Sequence, residues 1–250
     1  MIVKQGGITL LIENQSIRRR KLFAWAVHFF TATGVVWGLL AILAVQRHDY
    51  RMAFLWMGVT LFVDGFDGTL ARLFGVKGVL PGFDGALLDN IIDFLTYVLI
   101  PALLVFEAGL VPDGWGVFTA AAMLLASSYQ FCQSDAKTED HFFKGFPSMW
   151  NVVVYYLFML GANPWVSLGF LILCCVLVFV PTKYAYPSRM REFKRLTYLL
   201  SLIWAGTVIM TIWQYPHQSQ AIIYVTLLYL VYYLAISFYT SSRSPLRRVK

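Results

Sequence analysis

Long apolar runs separated by short polar, often basic, connections dominate the chain, at lengths that suit helices crossing a bilayer. The first runs from about Phe23 to Val45, and the polar turn QRHDYR leads to a second, from about Met52 to Phe74. A third starts near Phe83 and reaches about Phe106, and a fourth covers about Trp115 to Gln133. Beyond the connection SDAKTEDHFFKGF, a fifth (about Pro147 to Leu160) and a sixth (about Trp165 to Val180) are joined by the tight GANP turn. The basic loop TKYAYPSRMREFKR precedes the last two, about Leu196 to Trp213 and about Ala221 to Tyr239. The pattern predicts an all-α fold, a polytopic membrane helical bundle of about eight transmembrane helices. No long alternating run suggests a barrel.

The ends and connections sharpen this picture. Residues 1–21 contain ITLLIENQSIRRRK, an apolar run followed by basic residues, which suits either a helix lying on the membrane surface or a tail. About 24 largely apolar residues follow Arg18, Arg19, Arg20 and Lys21 without a clear cleavage site, longer than a signal peptide's core of ~7–15, so this segment is expected to stay as a membrane helix. With the N-terminus in the cytoplasm, that side collects the N-terminal cluster, Arg72, Lys77, Lys137, Lys144, the loop cations after the sixth run and the basic C-terminal tail. The other side collects only Arg47 and Arg51. This asymmetry predicts both termini in the cytoplasm.

Composition agrees: the chain is 59% hydrophobic and only 13% charged, against about 25% in soluble domains. The net charge of +7 sits in loop clusters suited to anionic headgroups, and no aromatic-interleaved basic stripe points to nucleic acid. Cys132, Cys174 and Cys175 lack CxxC spacing and read as small core residues. No internal repeat or long linker divides the chain, so residues 1–250 are read as one domain.

One stretch breaks the apolar pattern. Residues 64–93 hold five of the thirteen acidic residues, and carboxylates near the bilayer are costly unless a partner keeps them there. Asp64 and Asp67 are three apart and Asp89 and Asp93 four apart, so each pair shares a helix face, on the second and third helices respectively. Packed side by side, the four would repel strongly without one or two divalent cations. Mg2+ or Mn2+ suits an all-carboxylate set, whereas zinc or copper would favour His or Cys. Gly68, Ala71 and Gly85 continue these faces without bulk and Arg72 adds a planar phosphate donor, although small residues on membrane helices also serve packing. Asp84, at the start of the third helix, reads as an N-cap. His28, His48, His141 and His217 are scattered with no apparent partner.

The string Asp64-xx-Asp67-Gly68-xx-Ala71-Arg72, followed by Gly85-xxx-Asp89-xxx-Asp93, resembles the signature of the CDP-alcohol phosphotransferases. The twelve residues from Leu73 to Asp84, longer than the family's usual gap, resemble its bacterial choline-using branch, as do Gly65 and the segments YQFCQSDAKTEDHFFKGFPSMWN and FVPTKYAYPSR. The resemblance implies transfer of a phosphatidyl group from CDP-diacylglycerol to choline with release of CMP. It implies one or two Mn2+ or Mg2+ ions on Asp64, Asp67, Asp89 and Asp93, with Asp93 as general base. Gly68, Ala71 and Gly85 would let the nucleotide approach the backbone, and Arg72 would contact phosphate. A homodimer in the bacterial inner membrane, with its active site toward the cytoplasm, is implied as well.

A quaternary ammonium is best held by aromatic faces. Tyr129, Trp150, Tyr184 and Tyr186 are candidates, with Phe142 and Phe143 beside them and Asp135, Glu139 or Asp140 adding negative potential. Lys144, Lys183, Arg189 and Arg191 could attract the lipid phosphate, although topology alone explains such cations. Two other readings stand beside this one: serine, inositol or glycerol 3-phosphate as the acceptor, and a divalent-cation transporter. Against the transporter, helices four to eight carry almost no carboxylates at depth.

Overall fold

Every apolar run folds as a helix in the computed structural model, which describes residues 5–136, 138, 142–185 and 193–243. Helix α1 (Gln5–Gln46) is continuous, so the stretch expected as a separate surface helix or tail joins the first span without a break. Helix α2 (Tyr50–Leu73) starts where the Asp49 carboxylate accepts from the Met52 amide at 3.1 Å, satisfying one of the orphan donors of a first turn. After the short α3 (Val76–Val79), Asp84 caps α4 (Gly85–Asp93) by accepting from the Ala86 and Leu87 amides, as its position anticipated. A π-helical segment, Phe94–Leu99, then continues directly into α5 (Ile100–Glu107). The remaining helices are α6 (Gly116–Cys132), α7 (Trp150–Met159), α8 (Pro164–Phe179), α9 (Lys194–Gln214) and α10 (Gln220–Arg243).

Among the described residues, four stretches are long and apolar enough to cross a membrane by themselves: Ile17–Gln46, Gly85–Glu107, Lys194–Gln214 and Gln220–Tyr239. Three more, α6, α7 and α8, are apolar but shorter, and α2 carries Asp64 and Asp67. The bundle wears its apolar side chains outside as well as inside. Leu202, Leu228 and Phe238 are 72%, 65% and 80% exposed, which only a lipid surround makes favourable on this scale.

Contacts sort the connections into two ends. At one, the Tyr50 hydroxyl donates to the Glu107 carbonyl, the Phe158 and Tyr215 rings meet, and the Gln218 and Gln220 amides donate to the Met159 carbonyl. At the other, Phe94 meets Phe131, and the two polar loops pair as short antiparallel strands, β1 (Phe142–Lys144) and β2 (Lys183–Ala185). The β2 strand is tied to α10, since the Ala185 amide donates to Ser237 Oγ and the Tyr233 hydroxyl donates to the Ala185 carbonyl.

Trp150, Ile100, Leu104, Met123, Met159 and Leu171 lie fully buried at the centre of the main core. Cys174 and Cys175 are core residues as expected, but Cys132, at the last turn of α6, is exposed. Helix α1 closes over the acidic helices through Gly34 and Gly38, a G-x-x-x-G pair that lets backbones approach. A methyl at Gly34 would stand 2.7 Å from Ile92 Cγ2, and one at Gly38 would stand 3.2 Å from Leu95 Cδ2. Gly34→Leu therefore forces the two helices apart, a cost of about 1–3 kcal/mol. Thermal melting in detergent should show Gly34→Leu several degrees below wild type, with Ile92→Ala on the same chain recovering part of the loss.

Candidate active site

Helices α2 and α4 bring the acidic faces together. Helix α2 presents Asp64 in its C-terminal half, and α4 presents Asp89 at its middle and Asp93, one turn on, as its last residue. One carboxylate oxygen from each of Asp64, Asp89 and Asp93 lies within 4.8 Å of the other two, and all three side chains are half-buried. Asp67 is not the fourth member of this triad. It is 6% exposed and lies deeper, beside Thr31 of α1, Asp64 and Asp89.

Three carboxylates at such separation cannot all remain charged in a poorly solvated setting without positive charge among them. The donor set is all hard oxygen, and among the described residues no His or Cys joins the cluster. It therefore suits a hard, oxygen-preferring cation rather than a thiolate- or imidazole-preferring metal.

Tyr97 is a site residue that the motif did not reveal. Its buried hydroxyl donates to Asp64 Oδ2 at 2.6 Å, fixing the orientation of one carboxylate of the triad. Tyr97 follows Asp93 by four residues, so helical spacing alone could have suggested it. It lies within the π-helical segment, a distortion often found at functional sites.

The small residues divide between site and packing. Gly68 lies under Arg72: a methyl there would be 3.3 Å from the guanidinium, which also donates to Thr69 Oγ1 at 3.1 Å. Ala71 packs on the Ala24, Val27 and Val76 cluster, and the bare face of Gly85 is covered by the His28 ring. The His28 ring packs between Gly85 and Phe83, with ring centroids 4.4 Å apart in the latter contact.

Among the described residues, the choline candidates have different surroundings. Trp150 is fully buried, donates its indole N–H to Ser127 Oγ at 2.7 Å and packs on Phe146. Tyr129 is exposed against Phe179, and Tyr184 lies in β2. Lys144 pairs with Asp135 at 2.7 Å, and this hydrogen bond holds the Asp135 carboxyl below the usual carboxylate range. Lys183 is buried with its ammonium over the Phe142 ring. Tyr186, Arg189, Arg191, Glu139, Asp140 and His141 lie outside the described residues.

The fold and the site together define a class: a polytopic membrane protein of the CDP-alcohol phosphotransferase kind, with its acidic motif split across α2 and α4. The chain belongs to the phosphatidylcholine synthase family. It is 43% identical over 223 residues to the phosphatidylcholine synthase of Legionella pneumophila, spanning 86% of this chain and 88% of that relative. Identity to the phosphatidylcholine synthase of Legionella bozemanae is 41%, over 81% of this chain and 96% of the relative. For that of Pseudomonas aeruginosa it is 36%, over 89% and 94%. No family model matches the chain.

If Tyr97 orients Asp64 for a cation, Tyr97→Phe should weaken Mn2+ binding about tenfold, since partners behind metal ligands typically matter by that order. Electron paramagnetic resonance titration of the purified protein with Mn2+ reads this directly, and an unchanged affinity would refute the assignment.

Proposed function

We propose that the chain transfers the phosphatidyl group of CDP-diacylglycerol to choline, giving phosphatidylcholine and CMP. One observation carries this reading: the Asp64, Asp89 and Asp93 carboxylates converge in a chain 43% identical to a phosphatidylcholine synthase over most of its length.

Asp64, Asp67, Asp89 and Asp93 would hold one or two Mn2+ or Mg2+ ions, which when bound neutralise phosphate charge and stabilise the departing CMP. The proposed roles divide along the geometry. Asp64, Asp89 and Asp93 supply converging oxygens, and Asp67 supports them from its buried position beside Thr31. Asp93 accepts the proton as the choline oxygen attacks the phosphatidyl phosphorus, a contribution of ~100-fold or more for a positioned base. The bond from that phosphorus to the CMP oxygen breaks, and its electron pair leaves with CMP. Attack is direct, because the residues that meet at the site are carboxylates and a phenol rather than an activated Ser or Cys.

Arg72, exposed at the end of α2, offers a donor to phosphate, and Gly68 beneath it leaves room for that guanidinium to move. Tyr129 and Tyr184 remain the aromatic candidates for the choline ammonium, because they lie toward the end of the bundle that carries the basic loops. That end faces the cytoplasm in our reading, with eight crossings, both termini inside and the chain in the bacterial inner membrane as a homodimer. The cation asymmetry supports the orientation: on the opposite end only Arg47 and Arg51 are found in the sequence, and Arg51 is turned onto the Trp213 ring at 4.3 Å.

Purified protein supplied with CDP-diacylglycerol, Mn2+ or Mg2+ and choline should release CMP and form phosphatidylcholine. EDTA, Asp89→Asn and Asp93→Asn should each reduce that turnover at least a hundredfold. Metal-dependent turnover with serine, inositol or glycerol 3-phosphate but not choline would overturn the acceptor. Cation uptake by liposomes without CMP release would overturn the reaction.

A further inference from the structure

The first helix contributes one polar group that the proposed chemistry does not use. His28 lies on α1, is 7% exposed, and its Nε2 is buried without a hydrogen-bond partner. Such an atom forfeits a hydrogen bond it would have made in water, so an uncompensated one calls for an explanation. Its place suggests one. A methyl at Gly85 would stand 2.5 Å from His28 Cε1, 3.1 Å from Nδ1 and 3.6 Å from Nε2, so Cε1 and Nδ1 are the ring atoms set closest against Gly85 and Nε2 lies farther from it. Gly85 precedes Asp89 by one turn on the same helix face, and Thr31, one turn beyond His28 on α1, stands beside Asp67. The imidazole is thus about 6 Å along α4 from the carboxylate cluster, toward the end that carries the basic loops.

We propose that His28 is a recognition residue for the nucleotide half of the liponucleotide, its Nε2 hydrogen-bonding the cytidine moiety while the pyrophosphate lies on the aspartates. This rests on the reading of Asp64, Asp89 and Asp93 as the phosphate site. With its acyl chains kept in the apolar layer, the donor must direct its nucleotide toward water, which is the direction from Asp89 to Gly85. A neutral imidazole has one donor and one acceptor nitrogen, and cytosine and ribose offer both complements, so either tautomer finds a partner. Phe83, packed on the His28 ring and itself partly exposed, with Trp25 at 5.2 Å, adds an aromatic surface for the base. The absence of a side chain at Gly85 is what admits the imidazole to this position.

His28→Phe keeps a ring against Gly85 and Phe83 while removing the nitrogens. It should raise the KM for CDP-diacylglycerol and the inhibition constant of CMP about tenfold each, the scale of one lost hydrogen bond. The KM for choline and the melting temperature should stay at wild-type values, and His28→Gln, which retains a donor and an acceptor, should recover part of the loss. If the phenyl ring prevents folding, His28→Leu serves the same comparison. Wild-type KM and CMP inhibition in the nitrogen-free variant would overturn the proposal, as would an equal rise for both substrates with a lowered melting temperature. Asp89→Asn separates the two failures: if it keeps turnover, the phosphate-site reading falls and this inference with it. If it is inactive while His28→Phe behaves as wild type, only the His28 inference falls.

Discussion

Carboxylate repulsion is the constraint on which the rest of this structure depends. Asp64, Asp89 and Asp93 bring their oxygens within 4.8 Å of one another in a half-buried setting, and no arrangement of apolar helices makes that favourable. The fold holds them there by other means. The Asp49 and Asp84 caps begin α2 and α4 in the right phase, Tyr97 fixes one carboxylate, and the hydrophobic core around Trp150 and Ile100 resists splaying of the helices. Under the proposed function a bound cation would relieve this repulsion, and a structural liability would then support phosphoryl transfer.

Helix α1 is the less obvious participant. It carries none of the acidic motif, yet Gly34 and Gly38 draw it against α4 and the π-helical segment, and this close approach places His28 and Thr31 beside the site. Packing and chemistry are therefore not separable along this helix. The small residues Ala71 and Gly85, which in isolation suit either a nucleotide or a neighbouring helix, are in contact with α1. A substitution meant to probe ligand binding at Gly85 would displace His28 first.

Much of the architecture was legible because membrane helices are coded by long apolar runs, a signal that survives without knowledge of neighbours. All eight runs are helical, and the Asp84 cap lay where its sequence position suggested. Shorter signals did not carry. The strands Phe142–Lys144 and Lys183–Ala185 have three residues each, too few to leave an alternating period, and they form only because two distant loops meet. Burial of the aromatic candidates was not legible either: nothing local distinguishes an exposed Tyr129 from a wholly enclosed Trp150, since burial depends on which helix lies opposite.

The sequence by itself determined the helical membrane class, the segregation of cations to one set of loops, and the pairing of aspartates on two helical faces. Those properties depend on residue type and spacing within single segments. Only the tertiary structure decided that Asp64, Asp89 and Asp93 meet while Asp67 lies deeper, that Tyr97 holds Asp64, and that His28 covers Gly85. These are contacts between α1, α2 and the helix that begins at α4, and their registers are set by side-chain volumes at the crossings, such as Gly34 against Ile92, which no single segment contains.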